Sequence, residues 1–114
     1  MASHHPNGSD VGALRRRLVL EAPVANADGL GGKTQAFTTV AALWAQVEWL
    51  SGAEQWRRGR PEQSATHRVT LRWRAGVDAG QRLRDGNHLY DIRAVADPDG
   101  DRRRLVCLVR EIGP

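Results

Sequence analysis

Thr66-His67-Arg68-Val69-Thr70-Leu71-Arg72-Trp73-Arg74 is the stretch on which the fold turns. Val69, Leu71 and Trp73 fall on one parity, and Arg68, Thr70, Arg72 and Arg74 on the other. A period of two residues belongs to a strand with one face on a core and the other in water. His67–Arg74 is therefore expected as a central strand. Four tryptophans are many for this length. Trp73 and one of Trp44 and Trp49 are expected to fill the core beneath that strand.

Downstream, Gln81–Arg84 reads as a short strand and Asp85-Gly86-Asn87 as a turn. His88–Ala96 follows as a strand with Tyr90 and Ile92 on one face, and Asp97-Pro98-Asp99-Gly100 is a second turn signal. Arg103–Glu111 closes the chain as a strand rich in leucine and valine. Short Gly/Asp turns between these strands predict an antiparallel meander.

Upstream, Arg17–Glu21 looks like a first strand, with Leu18 and Leu20 together, and Ala22–Gln35 like a long glycine-containing loop. Phe37–Leu50 reads two ways. Val40, Leu43, Trp44, Val47 and Leu50 share a helical face, and Leu43, Ala45, Val47 and Trp49 also alternate as in a strand. Periodicity taken alone favours the helix. Ser51–Ser64 is polar; Glu54–Arg58 has room for a helical turn or two before Gly59 and Pro61 end it. Residues 1–12 read as a flexible arm and 13–114 as a single domain. The expected fold is mainly β: a small antiparallel β-barrel or sandwich with long loops and at most one or two short helices.

The 114 residues fit one domain, and 40% hydrophobic with 26% charged residues favours a folded chain over disorder. No apolar run approaches the roughly 18 residues of a spanning helix. Met1–Asp10 has no apolar stretch of the kind a signal peptide carries. A single cysteine excludes an internal disulfide framework or a Cys-rich zinc site and fits a reducing compartment. The net charge is +4, and of the 17 basic residues only Lys33 is lysine. Such a surface suits DNA or an acidic protein face, although a GC-rich genome also enriches arginine.

The chemical motifs are weak. Ala27-Asp28-Gly29-Leu30-Gly31-Gly32-Lys33-Thr34 matches a loose phosphate-loop pattern, but the β-prone Phe37-Thr38-Thr39-Val40 follows where a helix should open. A glycine-rich hairpin loop is the simpler reading. Asp97-x-Asp99-Gly100-Asp101 starts like a calcium loop, but Leu108 stands where the bidentate glutamate belongs. Cys107, between Val106 and Leu108, reads as a buried, inert thiol. His67 and His88 flank strands, with no acid–base constellation around either. Trp56, in a polar segment, reads as a lid or an interface anchor. No cofactor, catalytic residue or metal ligand is expected.

The order of these segments resembles the bacteriophage head–tail joining proteins, also called head-closure or stopper proteins. The resemblance runs from about Gly12 to Glu111. It is carried by Gly12-Ala13-Leu14-Arg15 before Leu18-Val19-Leu20-Glu21, Asp28-Gly29-Leu30-Gly31-Gly32, Leu43-Trp44-Ala45-Gln46-Val47, Ser51-Gly52-Ala53-Glu54, the 66–74 stretch and Tyr90-Asp91-Ile92. Order and spacing carry it, not any one element.

The resemblance implies a strand at Phe37–Leu50 and a non-enzymatic role. It implies a homo-oligomeric ring, a hexamer or a dodecamer, in the neck of a tailed phage or gene transfer agent particle. The expected neighbours are a portal-bound adaptor ring and a tail terminator or tail tube protein, with packaged double-stranded DNA contacted non-specifically and no membrane. Assembly is expected in the bacterial cytoplasm. Ser51–Ser64 is the expected channel or ring-interface segment, with Glu54, Trp56, Arg57, Arg58, Arg60 and Glu62 as its candidate residues.

Two other readings compete. A monomeric SH3-like or OB-like barrel would hold nucleic acid on the basic face of Arg68, Arg72 and Arg74, but such binders place stacking aromatics on that face, and Trp73 falls opposite. A tail terminator or an adaptor is the nearest relative in role; adaptors are usually more helical.

Overall fold

In the computed structural model, which describes residues 14–24, 36–51 and 65–112, every regular element is a strand. In chain order they are β1 (Arg16–Val24), β2 (Ala36–Trp49), β3 (His67–Arg72), β4 (Arg82–Asp85), β5 (His88–Ala96) and β6 (Arg104–Glu111). They close into a barrel in the order β1-β2-β3-β6-β5-β4, with β4 returning to β1. All six ladders are antiparallel. Closure hides the sheet edges that an open sheet would leave exposed.

The C-terminal meander follows its turn chemistry. Asp85 pairs with His88 across a two-residue loop. Gly86 takes φ +60° and Asn87 keeps a negative φ, the type II′ pattern that matches strand twist. At the next turn the Asp97 carboxylate accepts from the backbone N–H of Gly100 at 3.1 Å and of Arg102 at 2.9 Å. Gly100 and Arg102 there adopt φ +71° and +61°. Both Asp97 oxygens are thus spent on the turn, so its acidic residues read as hairpin chemistry.

The core is built from alternate residues of every strand. Leu18 and Leu20 of β1, Val69 and Leu71 of β3, Leu83 of β4, Ile92 of β5 and Val109 of β6 are all buried. Val77 tucks into this cluster from the β3–β4 connection. That connection is held by Gln81, whose side chain donates to the Gly76 carbonyl at 2.8 Å and accepts from the Asp78 N–H at 2.9 Å.

One two-way reading is decided as the resemblance implied, and two expectations are corrected. Phe37–Leu50 is strand through Trp49, against its helical periodicity: Ala45 is buried and Leu43 and Val47 pack on the core, as alternation requires. Neither Trp44 nor Trp49 fills the core; they are 52% and 68% exposed. The interior is already occupied by aliphatic side chains, and Ala45 is the small residue that β2 presents there. The other correction concerns the central strand, which ends at Arg72, so Trp73 lies beyond it and packs on the core half-buried. Thr70, on the parity of the arginines, is only 2% exposed, flanked in register by Gln46 and Val106.

The arm at 1–12, Ala27–Thr34 with Lys33, and the candidates Glu54, Trp56, Arg57, Arg58, Arg60 and Glu62 lie outside the described residues.

Candidate functional site

Arginines dominate the surface, and their surroundings sort them into two groups. The first lies where the barrel closes. Glu21 of β1 stands opposite Arg82 of β4, beside a register shift between Leu20 and Glu21. Arg82 Nε donates to Glu21 Oε1 at 2.7 Å, and Arg84 Nε to Glu21 Oε2 at 2.8 Å. Arg82 also lies over the Phe37 ring, 3.9 Å from its centroid. Burial alone would push the Glu21 carboxyl up; the two guanidiniums outweigh it and hold the group below its ordinary value. Arg16 pairs with Asp85 along the same seam. These ion pairs span the closing seam alongside the β1–β4 ladder.

The second group surrounds a groove of about 700 Å³ that crosses β2. Arg15, Ala42, Leu43 and Trp44 line one side, and Leu71, Arg72, Trp73 and Arg74 the other. Arg17 lies over Trp44 at 4.9 Å and Arg102 over Trp73 at 5.4 Å. Among the described residues the ion pairs use Arg16, Arg68, Arg82, Arg84, Arg93, Arg103 and Arg104, and omit Arg15, Arg17, Arg72, Arg74 and Arg102. Among the described residues, the lining of the groove is cationic and aromatic and includes no acid.

The arginines singled out in the sequence are divided by the fold. Arg72 and Arg74 line this groove. Arg68 instead lies 3.7 Å from Glu48 and borders a separate small depression with Val95, Val106 and Leu108. Arg15, Arg17 and Arg102 were not singled out, and Trp44 was expected in the core as the alternative to Trp49. The run Arg15-Arg16-Arg17 was visible, but only the β1–β2 register, Arg17 opposite Trp44, gives it meaning.

Other titratable groups serve the fold. Burial pushes the Cys107 thiol up to about 12, which makes it inert at neutral pH. His67 takes a hydrogen-bond contact with Thr66 Oγ1 at 2.9 Å and meets the Tyr90 ring edge-on, and burial lowers its pKa. His88 is exposed and contacts Glu111 at 2.7 Å.

Leu50 and Thr66, on the two sides of 52–64, are tied to each other and to β6. Leu50 N–H donates to the Thr66 carbonyl at 2.9 Å, and Thr66 N–H to the Val109 carbonyl at 2.8 Å. Glu111 N–H donates to Thr66 Oγ1 at 2.8 Å.

Comparison with known proteins completes the site. The family model described as phage head completion protein matches residues 10–112. No curated protein sequence matches the chain. Among solved structures, protein SF1141 from Shigella flexneri 2a is similar at TM-score 0.69 and 26% identity, over 90% of this chain and 96% of that one. A chain in the virion of a native gene transfer agent particle is similar at TM-score 0.66 and 29% identity, over 89% of this chain and 97% of that one.

Proposed function

Because this chain belongs to the phage head completion protein family, with a structural role at the head–tail junction of a virion, we propose that it is the head-closure subunit of a tailed phage or gene transfer agent particle. In this reading it forms a homo-oligomeric ring, a hexamer or a dodecamer, in the neck. One face meets a portal-bound adaptor ring and the other a tail terminator or tail tube protein. The ring retains packaged double-stranded DNA, and the protein performs no catalysis. It is assembled in the bacterial cytoplasm. The family match across residues 10–112 is the observation that carries this reading.

Ser51–Ser64 is our choice for the segment that faces the channel or an adjacent ring. It is too polar for a core and too long for a tight hairpin, and the residues that flank it, Leu50 and Thr66, are hydrogen-bonded to each other. Arg57, Arg58 and Arg60, repeated around a ring, would hold the DNA end by its phosphates without reading sequence. Glu54 and Glu62 would pair with arginines of the next subunit, and Trp56 would anchor the contact.

The test replaces Arg57, Arg58 and Arg60 with serine and packages particles. Loss of retained DNA or of tails, with the protein still incorporated, is expected. Wild-type retention and tail attachment would overturn the gate assignment.

A further inference from the structure

The β-barrel is closed, yet β2 is longer than its partner on one side. β1 accompanies β2 from Ala36 to Ala45, whereas β3 joins only from Ala45 to Trp49. Among the described residues, the β3-side edge of Ala36–Trp44 therefore has no ladder. An unpaired edge offers a row of backbone N–H and C=O groups to a further strand. The groove opens beside the end of this edge, where Leu43 and Trp44 face Leu71 and Trp73. Val40 and Trp44, on the same stretch, are large apolar residues left exposed, at 43% and 52%.

Charge selects what would lie there. Arg15, Arg72 and Arg74 line the groove, and no described carboxylate pairs with any of them. Elsewhere on the barrel the arginines meet acids of the chain itself. The two indoles are already covered on one face by Arg17 and Arg102, so they offer apolar walls more than open platforms for stacked bases. An open strand edge, apolar walls and unneutralised guanidiniums together fit a peptide better than a duplex.

We propose that this groove receives an extended acidic peptide segment of another protein, added as a strand along the free edge of β2. Main-chain hydrogen bonds to the edge hold the segment, alternate apolar side chains rest between Trp44 and Trp73, and its carboxylates meet Arg15, Arg72 and Arg74.

The test uses the full chain and four probes. These are an eight-residue peptide alternating glutamate with valine, its lysine counterpart, and two forms of the glutamate peptide methylated at the amide nitrogens of one edge or of the other. Nuclear magnetic resonance follows the backbone amides of 36–44 and 71–74 and the indole N–H of Trp44 and Trp73. The glutamate peptide is expected to shift these signals. The lysine peptide and one of the two methylated forms are expected to bind at least tenfold more weakly. Arg72→Ser with Arg74→Ser is expected to weaken the glutamate peptide at least tenfold, and Arg15→Ser to weaken it less, without loss of the β-sheet circular-dichroism signal.

Equal binding of the lysine peptide would overturn the proposal, as would equal binding of both methylated forms. Undiminished binding by the double serine variant would do the same. A 20-base-pair duplex shifting the same signals more tightly than the glutamate peptide would assign the groove to nucleic acid instead. Self-association of the chain through the 36–44 amides would assign the edge to a second copy.

Discussion

Arg82-Leu83-Arg84 and Arg72-Trp73-Arg74 have the same pattern: two arginines around an apolar residue, at one end of a strand. In the first, Leu83 is fully buried and both arginines grip Glu21. In the second, Trp73 is half-buried and neither arginine meets a described carboxylate. The difference lies in what stands across the sheet. β1 puts Glu21 opposite Arg82, whereas β2 parts from β3 at Ala45 and leaves a groove beside Arg72 and Arg74. One pair is committed to the closing seam; the other has no described acid to meet.

Leu83→Ala should give the largest effect on stability, about 2–5 kcal/mol in urea unfolding, because it opens a cavity in a filled barrel. Trp73→Ala should cost less than this, since its ring is partly in water beneath Arg102. A Trp73 cost above that of Leu83 would erase the contrast.

Glu21→Gln should cost about 2 kcal/mol, since it leaves two arginines with an amide in place of a carboxylate. The figure is held down because Arg84 is 43% exposed and can turn to water. A loss under about 0.5 kcal/mol would mean the seam does not depend on its charges.

The pH dependence sharpens the same point. The Glu21 carboxyl sits below its ordinary value in the folded chain despite the burial that opposes this. Its contribution is therefore complete above the unfolded pKa, near about 4.3, and is lost as pH falls through the lower folded value. The stability gap between the natural chain and Glu21→Gln should stay flat from about pH 7 to 5 and shrink below about pH 4. A gap that persists unchanged to about pH 2 would contradict the assignment.

The smallest stability change belongs to Arg72→Ser with Arg74→Ser. With no ion pair to lose, the pair should shift stability by less than about 0.5 kcal/mol. A cost as large as that of Glu21→Gln would show that these arginines serve the fold after all.

The parts of this account that were legible in the sequence are local. Alternation in His67–Arg72 and the turns at Asp85-Gly86-Asn87 and Asp97–Gly100 need only neighbouring residues, and they give the meander. β2 was harder because Ala36–Trp44 runs beside β1 alone, so its alternation is blurred by Val40 and Trp44 in water. Trp44 misled for the same reason: its size suggests a core, but its parity on β2, opposite to that of Ala45, puts it outside. Trp49 shares the parity of Ala45 yet is exposed as the last residue of β2. The division of the arginines was not legible at all. It depends on barrel closure bringing Glu21 to residues more than sixty positions away. The family resemblance, drawn from the order of segments, agrees with the match over residues 10–112.

Particles assembled without this chain give the most direct test of its proposed place between head and tail. Deleting its coding sequence from the producing phage or gene transfer agent cluster, and imaging the products by electron microscopy, separates the alternatives. The account predicts heads and complete tails that accumulate unjoined, with heads that lose their DNA, and restoration of joined particles when the chain is supplied in trans. Joined, DNA-filled particles in normal yield without the chain would contradict it.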